Sequence, residues 1–294
     1  MLTAALIGLG NIGMGYEFDE KRVKPASHLG ALKALKDKIE LTCVVDLDGE
    51  KRVKAERFYA GTPSCSCLAT PSSFIQSSID TDIIVIATPE ETHAPILSAI
   101  LAYKHPKLVF CEKPLTTSLA LANQMVSFCK NKKVSLCVNN TRRWEQSWQE
   151  AISIAKSGKY GAVKHFHGEY SGDPWRVGSH MADLVNWFGA PSYDVERIDV
   201  PYLVFNAVIW MEEGAVSIGS NGATVSTVMV GDSPRYSGVS ELVGTCRGRD
   251  YSEGETPLLK AYKNILNHLE KGEPLHCTGQ DGLAAVRIVE SWSK

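Results

Sequence analysis

No apolar run in the sequence is long enough to span a bilayer, which takes about 20 mostly apolar residues. Neither sign of charge is in excess: 31 Lys and Arg stand against 33 Asp and Glu, for a formal net charge of -2. No basic stripe stands out, so the electrostatic footprint of a nucleic-acid binder is missing. There is no internal repeat and no low-complexity tail. The opening, Met1-Leu2-Thr3-Ala4-Ala5-Leu6-Ile7-Gly8, is apolar but has no basic lead and becomes glycine-rich at once. It reads as a first strand rather than a signal peptide. Eight cysteines are present, yet no metal site is read from them. Cys65 and Cys67 form a Cys-x-Cys in a Ser/Thr/Pro-rich stretch without further ligands at suitable spacing, so plain loop thiols are expected. Cys43, Cys111 and Cys137 lie in or beside apolar runs and read as buried thiols. The pattern fits a reducing, cytoplasmic setting.

What is present is ordinary globular composition, 44% hydrophobic and 22% charged over 294 residues, enough for two domains with cores of their own. The first half alternates strand and helix patterns. Ala4–Ile7, Leu41–Val45, Ile83–Ala87, Leu108–Cys111 and Val134–Val138 are short apolar runs, several of them β-branched. Such runs suit a parallel sheet covered on both faces. Helical patterns lie between them, as in Ala94–Leu101 and Leu119–Val126, which makes a βαβ architecture. After residue 138 the pattern changes. Lys164–Tyr170 alternates, and Leu203, Phe205, Ala207 and Ile209 place apolar residues at every second position. Met211-Glu212-Glu213-Gly214 reads as a hairpin turn. The expectation is an α/β fold: a Rossmann-type parallel domain over residues 1–139, then an α+β domain with a largely antiparallel open sheet over 140–294. Helices at 148–156, 181–188, 258–269 and 282–292 are expected to frame the second sheet.

The glycine pattern Gly8-Leu9-Gly10-Asn11-Ile12-Gly13 follows a strand. Glycines there let the backbone approach a pyrophosphate, with amide N–H groups facing the anion. Asp46 ends the next strand and is positioned to accept hydrogen bonds from a ribose, which points to NAD. It lies 33 residues beyond Gly13, where about 20 is usual. The surplus is Gly15–Pro25, too polar and broken to continue a helix, so the covering helix should restart near Ser27-His28. His28 reads either as a ligand-facing or as a solvated first-turn histidine. Asp46-Leu47-Asp48 would repel a 2′-phosphate and favours NAD; Lys51 and Arg52 leave NADP use open. Ala87-Thr88-Pro89 through His93 ends a strand and starts a helix, a second place for cofactor phosphate or ribose. Cys111-Glu112-Lys113-Pro114-Leu115 then puts a lysine at the carboxyl end of a buried strand, where open α/β sheets hold ligands.

In order and spacing these motifs resemble the Gfo/Idh/MocA family (glucose–fructose oxidoreductase, inositol dehydrogenase, rhizopine catabolism). The likeness runs on through Arg142-Arg143-Trp144 and Gly178-Ser179-His180-Met181-Ala182-Asp183-Leu184 to Trp187-Phe188-Gly189. It implies NAD(P) and substrate meeting in a cleft. Lys113 would lie beside the nicotinamide and contact the reacting hydroxyl, and His180 would carry the proton. His93 would lie near the nicotinamide, with Glu112 also in the cofactor set. Arg143, Trp144, Tyr170 and Arg176 would face substrate, and Asp183 would orient substrate or support the helix start. Many polyol dehydrogenases of the family have an aspartate four residues before the histidine; here that position is Arg176. An arginine there would lower, not raise, imidazole basicity. Arg176, Arg143 and Lys113 then read as a site for an anionic sugar such as a uronate, the other reading being a surface pair for Arg176. His165 and His167 share one strand face and read as plain sheet residues.

The function expected is hydride transfer between a nicotinamide and a secondary alcohol or ketone of a sugar, polyol or nucleotide-sugar. A redox-neutral NAD-using glycosidase or epimerase, and a non-catalytic cofactor-binding sensor, are the rival readings. By family analogy the chain is expected to form a homodimer or homotetramer. Its partner is a small-molecule sugar derivative, with neither nucleic acid nor membrane expected.

Overall fold

The computed structural model describes residues 1–60, 65–244, 249–250 (backbone) and 254–292. The chain divides into two compact units, the first formed by Met1–Thr141 with Thr256–Glu290 and the second by Arg142–Glu255.

In the first unit the elements run β1 (Leu2–Ile7), α1 (His28–Ala34), β2 (Ile39–Val45), α2 (Gly49–Phe58), β3 (Ser66–Leu68), α3 (Pro71–Gln76), β4 (Ile83–Ile86), α4 (His93–Tyr103), β5 (Leu108–Cys111), α5 (Leu119–Lys132) and β6 (Ser135–Val138). The sheet order is β3-β2-β1-β4-β5-β6, all parallel. This is the doubly wound order, with its ligand crevice at the carboxyl ends of the strands. Every residue of β4 and β5 is buried, as expected for apolar strands covered on both faces. Cys43, Cys111 and Cys137 are buried. Cys67 lies in β3 opposite Val44, so one half of the Cys-x-Cys is strand rather than loop.

The glycine loop begins a helical turn at Asn11–Met14, and the chain then leaves it. The Ile12 and Gly13 carbonyls accept not from residues 16 and 17 but from the N–H groups of His28 and Leu29, both at 2.9 Å. Helix α1 therefore resumes the interrupted helix after an excursion. His28 takes the place of Tyr16, twelve residues on. Without those twelve residues Asp46 is 21 beyond Gly13, matching the spacing of about 20 in the dinucleotide motif. The restart is capped twice: Ser27 Oγ accepts from Gly30 N, and Glu17 accepts from Ala26 N, Ser27 N and Ser27 Oγ. A carboxylate at a helix N-terminus is favoured by the helix dipole.

The second unit holds α6 (Gln146–Lys156), β7 (Val163–Ser171), α7 (Ser179–Phe188), β8 (Tyr193–Ile198), β9 (Phe205–Met211), β10 (Gly214–Gly219), β11 (Thr224–Asp232), β12 (Ser240–Val243) and β13 (Arg249–Asp250). Its sheet order is β12-β11-β10-β9-β7-β8, with β13 on β11. Only β7 and β8 run parallel. The expected hairpin is present, with Met211 opposite Gly214. Leu203 lies before β9 and is exposed, so the apolar alternation starts at Phe205. On β7, Phe166 and Tyr170 face inward while His165, His167 and Glu169 lie on the other face. Helix α7 comes close to β7 because Gly168 has no side chain: a Cβ there would stand 2.7 Å from Met181 Sδ.

The remaining helices correct the expected division at 139/140. Helices α8 (Pro257–Lys271) and α9 (Gly279–Trp292) form where the 258–269 and 282–292 patterns lie. Residues 256–290, however, belong to the first unit and do not frame the second sheet. Helix α8 lies against α1. Gly279 and Gly282 bring α9 onto β6, where Cβ atoms would come within 2.7 Å of Leu136 and Val138 side chains.

Candidate active site

Four carboxyl strand ends of the parallel sheet carry the predicted cofactor residues, and backbone hydrogen bonds tie those ends together. Gly8 N donates to Val45 O, Ala87 N to Ile7 O and Glu112 N to Ile86 O, and Asn139 N adds a fifth end, that of β6, by donating to Cys111 O, all at 2.8–2.9 Å. Gly8 has φ of +99°, and a Cβ there would stand 2.5 Å from Ala87 O; Gly13 lies against Gly8 O in the same way, at 2.1 Å. Gly10 differs, because nothing lies within 4 Å of its missing Cβ. The first and third glycines thus serve the fold, and the second leaves open backbone of the sort a pyrophosphate approaches. Asp46 accepts from Leu9 N (2.7 Å) and Asp48 N (2.9 Å). This orients the carboxylate and leaves acceptor capacity for ribose hydroxyls. Arg52 is turned to the Asp46 and Leu47 carbonyls. An acceptor carboxylate with Arg52 turned to backbone carbonyls fits a dinucleotide with a free ribose 2′-hydroxyl.

The Lys113 turn is held from both sides. His93, 1% exposed, has Nδ1 3.1 and 3.2 Å from the Pro114 and Leu115 carbonyls and Nε2 2.9 Å from the Thr88 carbonyl. Structurally it clamps two strand ends together. The Thr88 hydroxyl accepts from Thr92, and Pro89 is exposed. On the other side Glu112, 7% exposed, accepts from His28 Nε2 (2.9 Å) and Asn139 Nδ2 (2.5 Å), and its second oxygen accepts from Lys113 N (3.3 Å). Burial alone would push the Glu112 carboxyl up. The His28 and Asn139 hydrogen bonds and the His28 and Lys113 charges outweigh it and hold the group below the usual carboxylate range. His28 is neither solvated nor open to ligand. It is fully buried, with Nδ1 2.9 Å from the Tyr262 hydroxyl.

In the second unit Arg143 and Asp183 are both buried. Arg143 Nε donates to Asp183 Oδ2 at 2.8 Å, and Nη2 to Oδ1 at 2.9 Å. This forked pair joins the turn Thr141–Trp144 to α7. Arg143 therefore carries its own counter-charge and is not a bare cation awaiting an anionic substrate. Trp144 and Tyr170 are buried core residues at 2% and 3% exposure. Gly178 is small because the Tyr170 ring and hydroxyl lie 2.9 Å from where its Cβ would be. Asp173 caps the turn Pro174–Gly178, its Oδ1 accepting from Trp175 N and Arg176 N. The Arg176 side chain is exposed and His180 half-buried, the latter edge-on to Phe205 at 6.3 Å. His165 and His167 both bond the Asp194 carboxylate of β8. Among the described residues no group of three or more His, Cys, Asp or Glu is placed to hold a metal, and no helix is long and apolar enough to cross a membrane.

Sequence reasoning missed the work of Tyr262 and Asn139 and misread His28. For Asn139 a signal existed, since it directly follows β6 at a strand end. For Tyr262 there was none, because α8 reaches the first unit only in three dimensions.

Comparison with known proteins agrees with this geometry. Residues 2–140 match the oxidoreductase family with NAD-binding Rossmann fold, Gfo/Idh/MocA. An inositol 2-dehydrogenase of Rhodococcus jostii (strain RHA1) is 35% identical over 115 residues, 39% of this chain and 31% of its own length. A 2,7-anhydro-N-acetylneuraminate hydratase of Escherichia coli (strain K12) is 25% identical over 57% of this chain and 40% of its own. The chain thus matches less than half the length of these relatives. Among solved structures, the WlbA dehydrogenase of Bordetella pertussis, in complex with NADH and UDP-GlcNAcA, superposes with a TM-score of 0.72 at 18% identity. That match covers 98% of this chain and 94% of the other. The glycine loop, the Asp46 spacing and the Glu112-Lys113-Pro114 turn lie within the matched residues, and through them residues 2–140 belong to the Gfo/Idh/MocA family of NAD-binding oxidoreductases.

Proposed function

We propose that the chain is an NAD-dependent dehydrogenase or reductase acting on a secondary alcohol or ketone of a sugar, polyol or nucleotide-sugar. The observation that carries this reading is the lysine turn: Lys113 lies two residues beyond β5 in the sheet that bears the glycine loop, between the Glu112 and His93 anchors. Bound NAD would be held by the Gly8–Gly13 loop, Asp46, and the Thr88 and Pro89 strand end, and it supplies the hydride acceptor or donor. Lys113 holds the reacting oxygen as an ammonium. His180 carries the hydroxyl proton, since a carbinol that loses hydride must also lose a proton to a group titrating near neutrality. The Arg143–Asp183 pair positions the start of α7 and with it His180. Arg176, rather than Arg143, is the cation offered to an anionic substituent. Relatives named for inositol and for an anhydro-sialic acid support the sugar class.

The test is thermal melting with NAD, NADH, NADP and NADPH, each alone and then with sugars, uronates and nucleotide-sugars, followed by nicotinamide absorbance. A shift with NAD, a further shift with one sugar class, and an absorbance change lost in Lys113→Ala and His180→Ala are expected. Absence of any nicotinamide shift refutes the reading. The hydratase among the relatives favours a redox-neutral second reading, for which substrate is consumed with no net absorbance change.

A homodimer or larger homo-oligomer is part of the same proposal. The face of the second sheet that carries His165 and His167 also bears Trp210, Val230 and Leu242, each more than a third exposed. Light scattering giving a pure monomer would remove this element.

A further inference from the structure

We propose that His28 and Tyr262 are positioning residues for Lys113, acting through Glu112. This rests on the role proposed for Lys113. Both belong to a connected chain of buried polar groups: Tyr262 hydroxyl to His28 Nδ1, His28 Nε2 to Glu112 Oε1, Asn139 Nδ2 to the same oxygen, and Lys113 N to Oε2. His28, Asn139 and Tyr262 are at most 0% exposed and Glu112 is 7%. A buried anion with its partners is weak as a source of stability, because well-packed apolar residues do as well or better. Its value here is orientation. The carboxylate is fixed by two donors on one oxygen, and the other oxygen grips the peptide that carries Lys113. A carboxylate held one residue from an ammonium also favours the charged form that can hold an alkoxide.

His28 adds a second connection. Its backbone N–H donates to Ile12 O in the glycine loop while its ring bonds Glu112. One residue therefore links the loop offered to the pyrophosphate with the turn offered to the reacting oxygen. The rings of His28, Phe110 and Tyr262 stand edge-to-face at 5.3–5.8 Å, which locks the imidazole plane. As the first residue of α1, His28 sets its ring against Phe110 of β5.

The test uses the full chain and three variants: Tyr262→Phe, His28→Ala and His28→Gln, the last able to donate to Glu112 and accept from Tyr262. Trace acetylation with acetic anhydride across pH, read at each lysine by mass spectrometry, reports the reactivity of Lys113 without any substrate. Tyr262→Phe and His28→Ala should change Lys113 labelling at least about threefold relative to the other lysines, and His28→Gln should restore it. NAD affinity should stay within about twofold. With a substrate found by the sugar panel, kcat should fall about tenfold with KM little changed, and the pH profile of kcat should move. Folded variants whose Lys113 labelling matches wild type overturn the proposal. So does loss of folding in Tyr262→Phe, because the hydroxyl then serves the core. If the panel gives no turnover yet Lys113 labelling responds, the proposed reaction fails and the positioning stands. If turnover is found but neither labelling nor kcat responds, the reverse holds.

Discussion

Arg143 and Asp183, forty residues apart in the chain, close a forked ion pair with both side chains buried, Nε to Oδ2 at 2.8 Å. Removing one partner leaves the other charge buried and unpaired, a loss of about 3–5 kcal/mol. Arg143→Ala and Asp183→Ala should each destabilise the second unit by that order in urea unfolding. Arg143→Met with Asp183→Leu should recover most of the loss. If the single variants unfold like wild type, the pair is not the strut described above.

The three glycines of the loop should separate folding from binding. Gly13→Ala drives a Cβ to 2.1 Å from the Gly8 carbonyl and should cost about 2 kcal/mol or more, several degrees of melting temperature. Gly10→Ala meets nothing within 4 Å and should melt near wild type while weakening NAD binding about tenfold or more, or about 1.4 kcal/mol. Calorimetric titration with NAD decides; equal affinity in Gly10→Ala would show that the open backbone is not where the pyrophosphate docks.

Deleting residues 16–27 should leave a folded protein. His28 would then follow Gly15 directly, and the bond from its N–H to the Ile12 carbonyl would become an ordinary helical one. Melting within about 5 °C of wild type is expected, since shortening a surface loop changes closure entropy little. A deletion variant without a cooperative transition would mean the excursion holds the turn rather than interrupting it.

On the second sheet Asp194 joins two histidines. Its hydrogen bonds, with its charge, raise His167 above 6.5, against a smaller opposing effect of desolvation. Burial pushes Asp194 up, but the His167 and His165 hydrogen bonds outweigh it and the carboxyl lies below 3.8. The His167 contribution to stability is complete below 6.5 and fades as pH rises through its raised folded value. The Asp194 contribution is complete above 3.8 and fades as pH falls through its lowered one. Both are present between those limits. Proton NMR titration should find His167 above the ordinary histidine range, and Asp194→Asn should return it toward 6.5. An unchanged titration in that variant would sever the link.

The parallel half was legible because its signals are local. Ile83–Ile86 is a short β-branched run between turn signals, which reads as a buried strand, and Gly8–Gly13 follows a strand in the spacing of a dinucleotide loop. Even the late Asp46 was placed, with the restart at Ser27-His28. What escaped reading was long-range. Arg143 and Asp183 each look like cleft residues until the fold brings them together. The amphipathic pattern of Leu258, Ala261, Tyr262 and Ile265 marks a helix but does not name the sheet it covers. His28 carries no label of burial, since a histidine at a first turn is usually wet.

The return of α8 and α9 to the first sheet has a kinetic meaning. Helix α9 covers β6 from more than a hundred residues away in sequence. These pairings raise contact order and slow folding, although closure entropy grows only with the logarithm of loop length. Collapse of Arg142–Glu255 into its own unit would shorten the free chain that must close between β6 and α8. During synthesis the parallel sheet emerges with its last face bare, and the tyrosine that braces His28 arrives after the lysine it serves. The nucleotide half of the molecule is thus completed last, although its signature is written first.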